Sequence, residues 1–188
     1  MSATLEHPPL DLPERPPLRL VIRQTGLDTW GNFAAWHYLD EVKLHHASTG
    51  FTGYDVETGQ PVAFVAVTGM AIGKGVRAAR ATRMVIHPEF QGAGLAMPFL
   101  NLIAARERAG LGYIGAPAPT YMHTSHPGFI AALRRAPDWT LVSQQFGGRV
   151  RSDTPNTRSR FGHHLRAVAG FRYDGPPYDG PPYEEPEA

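Results

Sequence analysis

The sequence predicts an α/β domain, one sheet with helices packed against it. Three observations carry the prediction. Runs rich in β-branched residues recur along the chain, at LRLVIRQ (18–24), PVAFVAVT (61–68) and TRMVI (82–86). Two strands, Phe51 to Val56 and Pro61 to Thr68, are joined by Glu57-Thr58-Gly59-Gln60, which has hairpin-turn composition. Ala81 to Gly110 then gives a strand, a glycine-containing turn and a helix. At 188 residues the chain is long enough for one well-buried domain and cramped for two. A hydrophobic content of 42% with 19% charged residues fits a folded globular domain rather than a disordered chain.

Residues 1–17 hold Pro8, Pro9, Pro13, Pro16 and Pro17 with little apolar periodicity, and form an extended arm ahead of a domain spanning 18–173. Leu18 to Gln24 is the first strand. Asp28 or Thr29 can cap a helix running through Trp30, Phe33, Ala34, Tyr38 and Leu39. After the hairpin, the glycine- and arginine-rich Gly69 to Arg80 is expected to be a loop. Tyr113 to Ala116 is the next strand, Pro127 to Arg135 a short helix, and Trp139 to Ser143 a late strand. Val168 to Tyr173 could close the sheet. From Asp174 a DGPPY repeat and acidic residues give a disordered tail, 174–188.

In the central stretch, Thr82 to Ile86 is a buried strand, and His87-Pro88 breaks it because proline cannot donate to a ladder. From Met97 the apolar residues Phe99, Leu100, Ile103 and Ala104 recur at helical spacing. Arg106, Glu107 and Arg108 are expected to face solvent before Gly110 ends the helix. The free N–H groups of the helix's first turn make an anion site, and the glycines before it let a phosphate approach. It is not a Walker loop, for want of Gly-Lys-Ser/Thr, nor a dinucleotide fingerprint, which needs a third glycine and an N-terminal βαβ unit. What is present is Gln-x-x-Gly-x-Ala, with Gln91, Gly94 and Ala96 in the fixed places. This resembles the acetyl-CoA pyrophosphate loop of the GNAT N-acetyltransferase superfamily. The element order β–α–β–β–β–α–β–α–β is similar too. The resemblance implies a central mixed, mostly antiparallel sheet flanked by helices. It also implies a splayed strand pair that binds acetyl-CoA or another acyl-CoA. Gln91, Gly92, Ala93, Gly94, Leu95 and Ala96 would bind the cofactor's phosphates, and the backbone of Met84, Val85 and Ile86 would polarise the acyl carbonyl.

Transfer of an acyl group from a thioester to an amine needs a hydrogen bond to the carbonyl, a neutral amine and a proton for the thiolate. In the superfamily the base is often Glu or Asp and the acid a Tyr. Two clusters offer such groups, and the choice between them stays open. One is Trp36-His37-Tyr38-Leu39 with Asp40 and Glu41, where the aromatics also fit the apolar face of a helix. The other is Tyr121-Met122-His123-Thr124-Ser125-His126-Pro127, where Tyr121, Ser125 and His126 are candidates and Thr124 or Ser125 could simply cap the next helix. No cysteine is present, so thiol nucleophiles and zinc–thiolate sites are excluded. No H-x-x-x-H or H-E-x-x-H pattern occurs, so no preformed metal site is expected. A mixed His/Tyr/Asp iron site assembled across segments stays open.

The net charge is +1 and, apart from Lys43 and Lys74, every cation is an arginine. Between Gly147 and Tyr173, Arg149, Arg151, Arg158, Arg160, Arg166 and Arg172 face a single acidic residue, Asp153. Such a tract is either a solvated loop or a surface that tracks nucleic-acid phosphates. Together with the WHYL and TSHP motifs and the closing Phe171-Arg172-Tyr173, it resembles the Mom-type branch of phage DNA-modification proteins. That resemblance implies DNA as partner and modification of the N6 amine of adenine, reached by base flipping. It implies His37, Tyr38 and Ser125 as catalytic residues, with Tyr121 and Asp40 as further candidates. Arg149, Arg151, Arg158, Arg160 and Arg166 would hold the DNA. Two alternatives stand beside it: a GNAT acting on a small-molecule or protein amine, and a catalytically silent GNAT-like binding domain. No run approaches a membrane span and no basic-then-apolar segment opens the chain, so the expected location is the cytoplasm of a bacterial or phage-infected cell.

Overall fold

The computed structural model describes residues 19–37, 44–73, 75–145 and 167–180. Its strands are β1 (Leu20–Thr25), β2 (Ser48–Asp55), β3 (Pro61–Ile72), β4 (Val76–Ile86), β5 (Thr120–Thr124), β6 (Trp139–Gln145) and β7 (Val168–Tyr173). They form one sheet in the order β1-β2-β3-β4-β5-β7-β6. Every neighbouring pair is antiparallel except β4 and β5, which run parallel. Helix α1 (Ala96–Ala109) supplies the crossover that a parallel pair requires, and α2 (Pro127–Arg135) links β5 to β6. Among the described residues no helix is long and apolar enough to cross a membrane.

Alternation along the strands divides the core. Ala63, Val65, Val67, Ala79, Ala81 and Phe171 pack under Phe99, Leu100 and Ile103 of α1 and Leu133 of α2. Phe64, Ala66 and Val85 point the other way, onto Trp30 and Phe33. Each fully buried Phe or Leu here contributes about 1.5–3 kcal/mol relative to exposure.

Several elements differ from the sequence-based expectation, each for a physical reason. The stretch expected to be a loop before the central strand is instead ladder. β3 and β4 pair as far as Ile72 with Val76 and turn through Gly73 and Gly75, at φ 53° and 78°. Alanines 78 and 79 are buried there and arginines 77 and 80 exposed, so small residues suit the packed surface although their β-propensity is poor. Residues 113–116 form a turn, with Gly115 N–H donating to Gly112 O at 3.2 Å and φ of 69° at Gly115, and the strand begins only at Thr120. The helix expected from Asp28 is a pair of 3-10 turns, Leu27–Asn32 and Ala34–Trp36. Trp30 and Phe33 are buried as its apolar face requires. β7 inserts between β5 and β6 and leaves β6 at the edge.

Glu107, expected in solvent, is completely buried. Its carboxylate accepts from the N–H groups of Tyr113 (2.5 Å) and Ile114 (3.2 Å), tying α1 to the turn that follows it. Within the stretch expected to be a disordered tail, Tyr178 instead docks on α1. Tyr178 N–H donates to Ala105 O at 3.0 Å, and the Arg106 guanidinium sits 5.3 Å from the Tyr178 ring.

Candidate active site

β4 and β5 are paired only from Ala79 with Thr120 to Ala81 with Met122. Beyond that point β4 runs on to Ile86 against β3, while β5 runs on against β7, so the two part. Thr82 is an extra residue in β4, because Val67 faces Ala81 whereas Ala66 faces Arg83. Its hydroxyl donates to Ala66 O at 3.2 Å. Such a bulge bends the strand and shifts its register. His87 N–H donates to Val62 O on β3 at 2.7 Å. Alternation therefore aims the N–H groups of Met84 and Ile86 toward the side that β5 has left.

The loop after β4 closes one end of this gap. Gln91 Nε2 donates to Ile86 O at 2.9 Å, fastening the loop to the end of the strand. Gly92 and Gly94 take left-handed φ of 82° and 74°, with nothing within 4 Å of the position a Cβ would occupy. The first helical bond of α1 runs from Phe99 N–H to Leu95 O, so Ala96 and Met97 have no intrahelical acceptor. Pro98 sits in the first turn, where its missing N–H costs nothing. The gap encloses a cavity of about 650 Å³. Its walls come from both faces of the sheet: Met84, Met122 and Phe129 on the α1 side, Val85, Trp36 and His37 on the other. Among the described residues no acidic, lysine or arginine side chain lines it.

No protein-family model matches this sequence, and no curated protein matches it. Solved structures do. A chimera of the Vibrio cholerae spermidine N-acetyltransferase SpeG with hSSAT is 14% identical, covers 82% of this chain and 94% of its own, and has a TM-score of 0.56. Arabidopsis thaliana NAA60 in complex with acetyl-CoA is 10% identical, with 82% and 98% covered and a TM-score of 0.58. A Bacillus subtilis acetyltransferase in complex with CoA is 10% identical, with 83% and 99% covered and a TM-score of 0.54. This is the GNAT fold.

Within that fold, the residues expected from sequence fall into distinct places. Met84, Val85, Ile86, Gln91, Gly92, Gly94, Leu95 and Ala96 line the cavity, and Ala93 does not. His37 lines it on the face away from α1, with the Trp30 ring edge-on at 5.6 Å. Tyr121 is not among the lining residues: it pairs with Arg80 on β4 and Arg172 on β7. Ser125 is not among them either. The cap of α2 is His126, whose Nδ1 accepts from Phe129 N–H at 3.2 Å, rather than Thr124 or Ser125. Tyr38, Asp40, Arg149, Arg151, Arg158, Arg160 and Arg166 lie outside the described residues. No group of three or more His, Cys, Asp or Glu able to hold a metal occurs among the described residues, so the mixed iron site has nothing to rest on there.

His123 is the residue that sequence reasoning passed over. It lines the cavity, half-buried, and its Nδ1 is buried with no hydrogen-bond partner. Burial first, and the positive charge of Arg80 second, hold its imidazole below the ordinary 6.5, so it is neutral at neutral pH. Its ring lies across Gly170 of β7: a Cβ there would come within 2.8 Å of Cδ2 and Nε2. The available signal was alternation: β5 read as Thr120–Thr124 puts Met122 on the helix side and His123 opposite it.

Proposed function

We propose that this chain transfers an acyl group from acyl-CoA, acetyl-CoA in the simplest case, to the amine of a small molecule or a protein. The observation that carries this is the through-sheet cavity at the β4/β5 split, with unpaired N–H groups at its loop end and a neutral histidine in its wall.

The residues present fit acyl-CoA. Gly92 and Gly94 expose backbone N–H groups at the start of α1, with no Cβ in the way, which suits a pyrophosphate. Lined by methionines 84, 97 and 122 and by Ile86 and Phe129, the cavity suits a flexible, largely apolar arm. Among the described residues the lining holds no acidic side chain that would repel the phosphates. Acyl-CoA supplies an activated thioester: the amine nitrogen forms a C–N bond to the acyl carbon as the C–S bond breaks and CoA leaves as the thiolate. The N–H groups of Met84 and Ile86 face the place where the carbonyl oxygen gains charge. His123 accepts the proton that the amine gives up, which calls for an imidazole that is neutral near pH 7. His37 and Trp36 wall the cavity on the same face of the sheet as His123. The similar spermidine N-acetyltransferase structure supports an amine acceptor, and the NAA60 complex supports acetyl-CoA as donor.

DNA adenine as acceptor has no observation in its favour among the described residues, since the arginines and the His-Tyr-Asp cluster that suggested it lie largely outside them. Thiol release from acetyl-CoA, followed with and without added amines, tests the proposal. Release that depends on an amine, with an N-acylated product by mass spectrometry, is expected. Acetyl-CoA bound without transfer to any amine would mean a silent binding domain, and modified deoxyadenosine in digested host DNA would restore the DNA reading.

A further inference from the structure

On the face of the sheet opposite α1, β4 presents two arginines in phase. Arg80 and Arg83 are three residues apart, a spacing that would put them on opposite faces of a regular strand. The bulge at Thr82 removes that mismatch: Arg80 pairs with Thr68 and Arg83 with Ala66, two positions of β3 on one face. The two side chains therefore leave β4 as same-face neighbours, about 7 Å apart at the backbone. Ala66 packs on Trp30 and Phe33, which fixes this as the face away from α1. Arg80 is level with Tyr121, and His123 follows on the same face of β5, where the strands have begun to part. Arg80 acts electrostatically on His123.

Neither arginine is neutralised among the described residues. Arg80 is exposed and makes no ion pair there. Arg83 spends one terminal nitrogen on Thr82 O at 3.0 Å, while its Nε is buried without a hydrogen-bond partner. A buried guanidinium N–H left unpaired is costly, and an anion satisfies it with a charge-assisted bond. The nearby Arg172 differs: Asp174 holds it in a bidentate pair at 2.7 and 3.0 Å. That pair neutralises Arg172 and sets it apart from Arg80 and Arg83.

We propose that the acceptor is a small amine that also carries a carboxylate or phosphate, its anionic group held by Arg80 and Arg83 and its amine directed to His123. This rests on the acyltransfer proposal above and narrows it. A polyamine, all cation, is disfavoured at this face, in contrast to the acceptor named for the similar spermidine N-acetyltransferase. The transfer step is unchanged: the C–N bond forms, the C–S bond breaks, and the amine proton passes to His123.

The test uses the full chain. Acetyl-CoA binding is measured first by calorimetry. Thiol release is then followed with α-amino acids, their amides, an amino-sugar phosphate, spermidine and a DNA oligonucleotide. Acylation of an amino acid or an amino-sugar phosphate, with KM at least about 10-fold lower than for the matched neutral amine, is expected; which of the two is used identifies the anion. Arg83→Gln and Arg80→Gln should each raise that KM about 10-fold with a smaller change in kcat. Acetyl-CoA bound but spermidine or DNA preferred, neutral and anionic amines used equally, or no anionic amine used, would overturn this inference alone. No binding of acetyl-CoA would overturn the acyltransfer proposal and this inference with it.

Discussion

At its loop end the cavity is bounded by main chain: two left-handed glycines, the start of α1 and a glutamine tied to the last carbonyl of β4. On the face of the sheet away from α1 it is bounded by side chains from three separate segments, Trp36 and His37, Val85, and His123. The first end depends on contiguous residues and on backbone geometry, and it suits a ligand part common to many enzymes. The second depends on strand register and on which side chains meet across it, and it suits a part that varies. Changes at the loop end should therefore alter acyl-CoA affinity and spare the chemistry, while changes at the other should do the reverse.

The largest separation is expected from His123→Ala. If His123 is the proton acceptor, kcat should fall about 100-fold or more, the usual scale for a lost general base, with acetyl-CoA affinity nearly unchanged in calorimetry. Equal loss in both quantities would erase the distinction between the ends. Gly94→Val is the counterpart. A β-branched residue at φ 74° is strained and covers the N–H groups that would face phosphate, so acetyl-CoA affinity should drop about 100-fold.

The contrast between the ends also explains what was legible in the sequence. Gln91, Gly94 and Ala96 stand within one short segment, and Gly110 stops α1 as expected because its left-handed conformation is a local requirement. The GNAT order of elements could be read for the same reason. His123 could not be picked out, because Tyr113 to Ala116 has the look of a strand. With the strand placed there, His123 falls in a loop rather than at an alternating position. The Arg80–Arg83 pairing hinges on a bulge at Thr82, and nothing in residues 80–83 announces an extra residue; it exists only against β3. A charge on a helix predicts solvent exposure for Glu107, whereas here the next turn turns its N–H groups inward to meet it. The proline-rich composition of 174–180 predicts a tail and says nothing of Tyr178 docking on α1.

A smaller effect is expected at Glu107, in the last turn of α1 and away from the cavity. Glu107→Ala strands two inward-facing N–H groups and should cost about 2–4 kcal/mol in denaturant unfolding, with Glu107→Gln losing less because it keeps one acceptor oxygen. If Glu107→Ala unfolds like the wild type, the carboxylate does not hold that turn.

The subtlest change concerns pH. His123 must be neutral to accept a proton, and its folded pKa lies below 6.5. The rate should hold as pH falls to about that value and decline only below it. Arg80→Gln removes a positive charge that opposes protonation, so the acid limb should move to higher pH, by less than about one unit. A limb that stays fixed would separate Arg80 from His123 and weaken the link drawn between them.

One titration tests acyl-CoA binding at the loop after β4 most directly: acetyl-CoA into the wild-type chain, Gly94→Val and His123→Ala by calorimetry. Saturable one-site binding to the wild type and His123→Ala, with the heat lost in Gly94→Val, is the predicted result. No binding to the wild type, or binding to Gly94→Val as tight as to the wild type, would contradict it.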